Sequence, residues 1–332
     1  MARAGVADQR EVESHSRVRV KERALESPAV EELAAREESI SHGPSPATLA
    51  KESALRELLR EMSTVLVAYS GGVDSSYLAC VANDELGARA LCVTGDSPSL
   101  AEHQREQARE IALRFNFQHE IVRTEELNDA RYIANPSNRC YFCKTELYAK
   151  LVPLAQSRGI SFVADGSTTD DLGDYRPGRA AAAEHDVRSP LVEVGMSKAE
   201  VRALSLRAGL PTWDAPASPC LSSRIAYGTH VTIKRLREVE TGEEIMRALG
   251  FREFRVRHHD ELVRIEIAPA ELDRALRREV ADELARRFRS LGFRYVTLDL
   301  HGYRTGAMNE ILGSTQQSAF SAQPEKHSKA ER

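Results

Sequence analysis

Short apolar runs alternate with amphipathic segments from about residue 50 to residue 166. The amphipathic segments repeat their apolar residues at helical spacing, and the short apolar runs are typical of strands buried on both faces of a parallel sheet. The predicted strands cover residues 64–70, 88–95, 117–124 and 161–166, and the predicted helices cover residues 51–62, 77–87, 101–115 and 140–159. This alternation predicts an open parallel α/β sheet with ligand loops at the carboxyl ends of its strands.

The pattern changes at about Ala226, after which arginine alternates with apolar residues. Period-two alternation predicts the strands of a one-sided sheet. The predicted helix, two strands, second helical stretch and last strand cover residues 232–250, 251–259, 261–268, 269–292 and 293–300. We therefore expect an α/β domain over residues 46–225 and a smaller α+β domain over residues 226–312. No internal repeat at solenoid spacing is visible.

Both ends of the chain are polar and poor in aromatic residues, so residues 1–45 and 313–332 are predicted to be a disordered extension and a disordered tail. The 332 residues contain 46 Lys plus Arg and 50 Asp plus Glu, a net charge of −4 that disfavours a general nucleic-acid partner. No apolar run approaches the roughly 18 residues of a membrane span. The N-terminus has no apolar stretch followed by a small-residue cleavage site, so we expect a cytoplasmic protein.

The segment Ser70–Ser76, Ser-Gly-Gly-Val-Asp-Ser-Ser, lies directly between the first predicted strand of the sheet and a helix. Gly71 and Gly72 allow a tight turn and a close approach of the backbone to a ligand. Amides at a helix N-terminus favour anions, so the segment predicts a phosphate loop. Asp74 is unusual in such a loop unless it faces a cation, which makes it a candidate contact of Mg²⁺.

Five cysteines are too few for a disulfide scaffold, and they divide into two groups. Cys80 and Cys92 lie at apolar positions and are predicted to be core residues. Cys140 and Cys143 form a Cys-x-x-Cys pair at a helix start, and Cys220 lies far away in the sequence. Zinc would require a fourth ligand that is not evident, whereas a 4Fe-4S cluster on three cysteines would keep one iron open. A redox pair, buried cysteines and a nucleophilic Cys220 remain alternatives.

The phosphate loop lacks the Walker A and dinucleotide patterns and resembles the PP-loop of the ATP pyrophosphatase superfamily. That resemblance implies the open parallel sheet of the PP-loop ATP pyrophosphatase type, cleavage of ATP between its α- and β-phosphates, and Mg²⁺ at Asp74. The residues expected to bind ATP are Ala68, Ser70, Gly71, Gly72, Asp74, Ser75, Ser76, Thr94, Ser97, Gly166 and Arg176.

From about Glu52 to Leu312 the chain resembles the LarE family of ATP-dependent sacrificial sulfur transferases. The motifs that carry the resemblance are SGGVDSSYLA, NRCYFCK, ADGST, RPGR, PCLSSRIAYG and the RVR segment at residues 255–257. The resemblance implies a step in the synthesis of the nickel-pincer cofactor of lactate racemase. A carboxylate of a pyridinium-3,5-dicarboxylate mononucleotide is adenylated by ATP and converted to a thiocarboxylate.

The resemblance also implies roles for particular residues. Cys220 matches the cysteine that is sacrificed in single-cysteine members, whereas Cys140, Cys143 and Cys220 together match members with a 4Fe-4S cluster, the form we favour. Ser223 and Arg224 would position the substrate or AMP, and Arg255 and Arg257 would bind the substrate phosphate. Glu243 and Asp273 match acidic residues near a bound metal. Family members assemble as homo-oligomers, either trimers or hexamers.

Two other functional classes remain open. A PP-loop enzyme that thiolates tRNA has related cysteine chemistry, but the net charge of −4 disfavours an RNA partner. A nucleotide-binding regulator would keep the phosphate loop without the reaction. Glutamine-dependent amidation would need an amidotransferase domain or partner and would leave the cysteines unexplained.

Overall fold

The structure is a computed structural model that describes residues 43–173 and 176–304. The two segments predicted to be disordered lie outside the described residues, apart from Gly43–Ser45. The Ser45 hydroxyl accepts a hydrogen bond from the Thr48 amide at 3.1 Å and caps the first described helix, where Pro46 suits the first turn.

A four-stranded, entirely parallel sheet forms the centre of the first domain, in the order β3-β2-β1-β4. Leu66 of β1 pairs with Leu91 of β2 on one side and with Val163 of β4 on the other. The strands are β1 (Val65–Ala68), β2 (Ala90–Asp96), β3 (Gln118–Arg123) and β4 (Phe162–Ala164). The predicted open parallel α/β sheet is confirmed.

Helices cover both faces of this sheet. One apolar layer contains Leu59 and Leu78, and the opposite layer contains Tyr148 and Leu151. The helices are α1 (Pro46–Met62), α2 (Val73–Leu86), α3 (Glu102–Arg114), α4 (Ala130–Ile133), α5 (Arg139–Ser157), α6 (Gly178–Glu184), α7 (Pro190–Glu193) and α8 (Lys198–Arg207). Among the helices that the structure describes, none is both long and apolar enough to span a membrane.

The strand order creates a crevice at the carboxyl ends of β1 and β4. The chain runs from β1 to β2 and β3 in one direction and then crosses back to place β4 beside β1. Ligands of open α/β sheets bind at such reversals. Here the loops touch, because a Cβ on Gly166 would lie 2.8 Å from the Ser75 amide nitrogen.

A three-stranded sheet and three helices form the second domain. β5 and β6 are antiparallel, whereas β6 and β7 are parallel. The core includes Val256, Ile265 and Phe288. The elements are α9 (Ile233–Ala248), β5 (Phe254–His259), β6 (Leu262–Ile267), α10 (Pro269–Ala275), α11 (Arg278–Ser290) and β7 (Tyr295–Leu298).

Two details of the second domain differ from the predictions. The predicted helical stretch 269–292 is divided in two, because Arg277 has extended backbone (φ −62°, ψ 137°) before α11. The expected one-sided sheet is wrong for β5, where Arg255 and Arg257 are each only 6% exposed. Their face is covered because both guanidinium groups donate to carbonyl groups of the segment 217–223.

Candidate active site

The predicted phosphate loop connects β1 to α2. Gly71 has a φ of +72°, and a Cβ there would lie 2.8 Å from the backbone of Ala108, so the turn requires glycine. The hydroxyl groups of Ser70 and Ser75 lie 3.0 Å apart, and the Ser70 amide donates to Ser75 Oγ at 3.2 Å. Gly72 begins α2 without a side-chain cap, so the positive end of the helix faces the crevice.

Asp74 lies in the first turn of α2, beside this loop. Its Oδ1 atom is buried and has no hydrogen-bond partner within the described residues. Burial raises the pKa of Asp74 to about 6, against the opposing effect of Lys198, whose Nζ lies 4.0 Å from Oδ2. Lys198 also lies 3.8 Å from Asp171, which pairs with Arg176 at 3.0 Å. A buried carboxylate oxygen without a partner fits Mg²⁺, a cation that prefers oxygen ligands.

Ala68, Thr94, Ser97 and Gly166 belong to strand ends around the crevice. Ala68 ends β1, and Gly166 packs against the phosphate loop. Thr94 is buried, and its hydroxyl donates to the backbone oxygen of Tyr69, the residue directly after β1, at 2.8 Å. Contact of Thr94 with adenine would therefore involve its backbone.

Ser97 lies directly beyond the end of β2. Through Glu126 it connects the carboxyl edge of the sheet to Cys143. Its hydroxyl donates to Glu126 Oε1 at 2.5 Å. Glu126 is 2% exposed, and its other oxygen, Oε2, has no hydrogen-bond partner within the part of the chain that the structure describes. Glu126 contributes to raising the pKa of Cys143, so this buried carboxylate lies near the Cys143 thiol.

The five cysteines separate into the two predicted groups. Cys80 and Cys92 are 8% and 1% exposed within the apolar core, as predicted. Cys140 is exposed, and Cys143 and Cys220 are half-buried. Burial, Cys220, Glu126 and Cys140, in that order, raise the pKa of the Cys143 thiol. Cys220 and Cys140 are therefore close enough to Cys143 to influence its pKa, although Cys220 comes from a distant part of the sequence.

Three thiols match the donor set that a 4Fe-4S cluster with one open iron requires. Among residues 43–173 and 176–304, no group of three or more His, Cys, Asp and Glu side chains is arranged to hold a metal ion. The residue types therefore fit a cluster, but their arrangement in this structure does not form a metal site, and the cluster stays a prediction.

Arg139 is a buried cation beside these thiols that the sequence did not single out. It is 3% exposed and donates to the Ser222 carbonyl oxygen at 2.9 Å and to Asn135 Oδ1. Burial works against its charge, but Cys220 and Cys140 raise the pKa of Arg139 above its ordinary value. Its position directly before the Cys-x-x-Cys pair was the available signal. Arg139 can stabilise negative charge on both sulfur atoms.

Lys144 follows Cys143 on α5 and connects the cysteines to the crevice. Tyr148 and Asp165 raise the pKa of Lys144, and burial acts in the opposite direction. The Lys144 Nζ lies 5.5 Å from the centre of the Tyr148 ring, and the Tyr148 hydroxyl donates to Asp165 Oδ2 at 3.1 Å. Asp165 directly precedes Gly166. Lys144 therefore provides positive charge between the thiols and the phosphate loop.

The backbone around Cys220 is held by the two residues predicted to position the substrate. The Ser223 hydroxyl donates to the Cys220 carbonyl oxygen at 2.7 Å. Arg224 is 2% exposed and donates through Nη1 to the same oxygen at 3.2 Å. Its Nε donates to Glu243 Oε1 at 2.7 Å, so a buried ion pair connects the Cys220 segment to α9.

Helix α3 fastens the Cys220 segment to the phosphate loop. Gln107 donates to the Gly71 carbonyl oxygen at 2.8 Å, and Gln104, one turn earlier, donates to the Ser218 carbonyl oxygen at 2.6 Å. On the other side of this segment, Arg255 of β5 donates to the Ala217 carbonyl oxygen. The segment thus lies between the predicted phosphate loop and the arginines of the second domain.

The two arginines predicted to bind a phosphate have different surroundings. Arg257 donates to both oxygens of the buried Glu266, at 3.0 and 2.8 Å, so its charge is neutralised within the protein. Arg255 lies 4.6 Å from the centre of the Tyr303 ring and forms no ion pair within the described residues. Burial and the neighbouring Arg224 lower the pKa of Arg255. Its guanidinium donates to the Phe254 and Ala217 carbonyl oxygens and to the Tyr303 hydroxyl, and without a carboxylate partner in the described part of the chain its buried charge suits an anion.

The predicted metal residues Glu243 and Asp273 differ in exposure. Glu243 is 3% exposed and is bound by Arg224, with Arg247 at 3.8 Å. Asp273 is exposed on α10. A metal at these residues stays a prediction. His103, which the sequence did not single out, lies near Glu243 and Arg247. Burial, followed by the charge of Arg247, lowers the pKa of His103 to about 4, so its imidazole is neutral.

Comparisons with known proteins identify relatives along most of the chain, although no family model matches it. An uncharacterized protein of Synechocystis sp. is 47% identical over 258 residues, which are 78% of this chain and 96% of the relative. The pyridinium-3,5-bisthiocarboxylic acid mononucleotide synthase of Lactiplantibacillus plantarum is 36% identical over 276 residues, 82% of this chain and 99% of the relative. With this identity and coverage, the chain belongs to the LarE family, of which the named synthase is a member.

Proposed function

We propose that this chain is an ATP-dependent sulfur transferase that acts on a pyridinium-3,5-dicarboxylate mononucleotide. It adenylates a carboxylate, releases pyrophosphate and converts the adenylate to a thiocarboxylate, within the synthesis of a nickel-pincer cofactor. The named relative, a synthase of the corresponding bisthiocarboxylic acid mononucleotide, supports this substrate class.

One observation carries the proposal: the Cys220 segment lies between the phosphate loop and Arg255, a buried cation without an ion pair within the described residues. Gln104 and Gln107 fasten this segment and the phosphate loop to the same helix. Arg255 donates to Ala217, three residues before Cys220. A substrate whose phosphate is bound by Arg255 would present the rest of its structure to Cys220 and to the nucleotide.

The first half of the reaction belongs to the phosphate loop. A carboxylate oxygen of the substrate attacks the α-phosphorus of ATP, the bond from that phosphorus to the bridging oxygen breaks, and pyrophosphate leaves with the electron pair. The amides after Gly72 and the hydroxyl groups of Ser70 and Ser75 would bind the departing pyrophosphate, whereas the Ser76 hydroxyl, also predicted to bind ATP, is fully buried. Asp74 would hold Mg²⁺, which neutralises charge on the phosphate oxygens.

The second half belongs to the cysteines. A sulfur nucleophile attacks the acyl carbon, a C–S bond forms, and AMP leaves with the electrons of the broken C–O bond. Cys140, Cys143 and Cys220 would hold the 4Fe-4S cluster, which when bound supplies an open iron able to carry exchangeable sulfide. Arg139 and Lys144 would stabilise negative charge around these sulfur atoms.

Single-turnover use of Cys220 itself is the second candidate, favoured by the lack of a metal-ligating group of three side chains within the described residues. Here the Cys220 sulfur forms a thioester with the acyl carbon. A base then removes the Cys220 Cα proton, the Cβ–Sγ bond breaks, and the thiocarboxylate leaves with the electron pair. Dehydroalanine remains at position 220.

Anaerobic reconstitution with iron and sulfide tests the proposal. We expect pyrophosphate release that requires the mononucleotide substrate, Mg²⁺ and ATP, with more than one thiocarboxylate product per chain by mass spectrometry. One product per chain, with a chain mass lower by one H₂S, indicates sacrifice of Cys220. Cys220→Ala should keep pyrophosphate release and lose the thiocarboxylate. Wild-type protein without substrate-dependent pyrophosphate release would contradict the proposed function.

A further inference from the structure

A chain of three buried hydroxyl groups ends at the sulfur of Cys220. The Ser99 and Tyr132 hydroxyl oxygens lie 2.7 Å apart, and Tyr132 and Ser222 lie 2.9 Å apart. Ser222 Oγ then lies 3.1 Å from Cys220 Sγ. Ser99, Tyr132 and Ser222 are 2%, 1% and 0% exposed, so solvent does not compete for these hydrogen bonds.

The direction of this chain follows from counting protons. Each hydroxyl has one proton to donate. If Ser99 donates to Tyr132, Tyr132 to Ser222 and Ser222 to Sγ, all three protons have acceptors. In the opposite direction, the Ser99 proton has no acceptor side chain among the described residues, which is unfavourable in a buried position. The chain is therefore complete only when the Cys220 sulfur accepts a hydrogen bond.

The two ends of the chain are fixed by the backbone. The Leu221 amide donates to the Ser99 carbonyl oxygen at 2.9 Å, which joins the loop after β2 to the Cys220 segment. Arg139 donates to the Ser222 carbonyl oxygen at 2.9 Å. The Tyr132 ring packs in an apolar cluster with Leu221 and Ile225. The Ser222 hydroxyl is therefore held in place from three sides.

We propose that Tyr132 and Ser222 are positioning residues that hold the Cys220 sulfur as a hydrogen-bond acceptor, with one orientation, for the sulfur-transfer half of the reaction. This role rests on the proposed function. It applies both to a Cys220 sulfur that attacks the acyl carbon itself and to a Cys220 sulfur that is an iron ligand. Hydrogen bonds to a sulfur ligand also tune a metal site. The chain does not reach the phosphate loop, so adenylation is independent of it.

The test separates the two halves of the reaction in Tyr132→Phe, Ser222→Ala and Ser99→Ala. We expect the kcat of thiocarboxylate formation to fall by roughly tenfold in Tyr132→Phe, more in Ser222→Ala and less in Ser99→Ala, following distance from the sulfur. The KM values for ATP and the mononucleotide and the initial rate of pyrophosphate release should stay within about twofold of wild type. Ser222→Thr, which keeps a hydroxyl, should restore most of the transfer rate.

Thr297→Val is the matched control, because it removes a hydroxyl bond to the Val263 carbonyl oxygen in the second domain's sheet. It should leave the transfer rate unchanged. The inference would be overturned if folded Tyr132→Phe formed thiocarboxylate at the wild-type rate, or if its pyrophosphate release fell as much as its thiocarboxylate formation. It would also be overturned if Ser99→Ala formed thiocarboxylate as slowly as Ser222→Ala. If Tyr132→Phe does not fold, the rates of thiocarboxylate formation in Ser222→Thr and Ser222→Ala are compared instead, and equal rates would overturn the inference. Inactive wild-type protein instead contradicts the proposed function.

Discussion

At the scale of single residues, Asp74 is a buried carboxylate with Lys198 4.0 Å from Oδ2 but no hydrogen-bond partner for Oδ1 within the described residues. Burial raises its pKa to about 6 from an ordinary 3.8. Between these two pH values the folded chain binds more protons than the unfolded chain does. The free energy of unfolding without Mg²⁺ therefore falls as the pH rises through this window. Mg²⁺ bound at the predicted contact, Asp74, would reverse this loss of stability because it binds the charged form.

We predict that a proton and Mg²⁺ compete for Asp74. The apparent affinity of the protein–ATP complex for Mg²⁺ should fall by up to about tenfold per pH unit below pH 6 and should level off above pH 7. Isothermal titration calorimetry between pH 5 and pH 8 measures this dependence.

Asp74→Asn is the control for this prediction, because phosphates of the nucleotide also titrate near pH 6. The variant should bind Mg²⁺ weakly and keep only the pH dependence of the nucleotide itself. A pH dependence equal to that of wild type would exclude Asp74 as the Mg²⁺ contact.

Arg255 and Arg257 show what the sequence can predict for a single residue. Their spacing of two places them on one face of a strand, and the structure confirms that both lie in β5. The sequence did not predict that Glu266 pairs with Arg257 and Arg264 and not with Arg255, which lies directly opposite it in the register between β5 and β6. Charge patterns along one strand contain no information about the neighbouring strand.

At the scale of elements, the crevice beside the predicted phosphate loop depends on how closely the loops after β1 and β4 approach each other. A Cβ on Gly166 would lie 2.8 Å from the Ser75 nitrogen and 3.0 Å from its Cα, both backbone atoms. Backbone cannot move aside as the end of a flexible side chain can. Gly166 is thus required for steric reasons, independently of any direct contact with ATP.

We predict that Gly166→Ala weakens ATP binding by at least about tenfold and lowers the free energy of unfolding by about 1–3 kcal/mol, because it displaces the amides of the phosphate loop. Calorimetric titration with ATP and urea unfolding measure the two effects. Gly173→Ala is the matched control in the same connection, since a Cβ there meets no atom within 4 Å. Wild-type affinity in Gly166→Ala would show that the loops can separate without loss.

The sequence predicted elements well where one pattern controls burial. All four apolar runs of the first domain form strands of the parallel sheet, because such strands are buried on both faces. The prediction of one continuous helix over residues 269–292 was wrong, because the chain forms two helices there. Ala275 and Phe288 both face the core, and the chain turns at Arg277 between them. Helical periodicity does not reveal such a turn when neither glycine nor proline marks it.

At the scale of the whole molecule, Asn135 joins the two distant parts of the sequence that contain the cysteines. Its Nδ2 donates to the carbonyl oxygens of Ile225, Ala226 and Thr229 at 3.2, 2.8 and 2.9 Å. Its Oδ1 accepts from Arg139, directly before Cys140. The sequence predicted that Cys140, Cys143 and Cys220 belong together, but a connection across 90 residues cannot be deduced from spacing.

We predict that Asn135→Gly loosens this connection while it keeps the backbone conformation, because glycine adopts the Asn135 φ of +54° without strain. Loss of the buried amide should lower the free energy of unfolding by about 2 kcal/mol and the melting temperature by roughly 4–8 °C. Hydrogen exchange should become faster at the amides of Gly228 and Val231, which donate to the carbonyl oxygens of Asn135 and Ile133.

Asn116→Gly makes this prediction specific, because Asn116 has nearly the same φ, +55°, but is exposed. Both variants make the same change of side chain at the same backbone conformation, so they share any effect of glycine on the unfolded chain. Only Asn135→Gly removes bonds between the two cysteine-bearing segments. Equal stability loss in both variants would mean that packing elsewhere holds these segments together. A loss confined to Asn135→Gly, with faster exchange at residues 228–231, would identify this amide as a connection between the two cysteine-bearing segments.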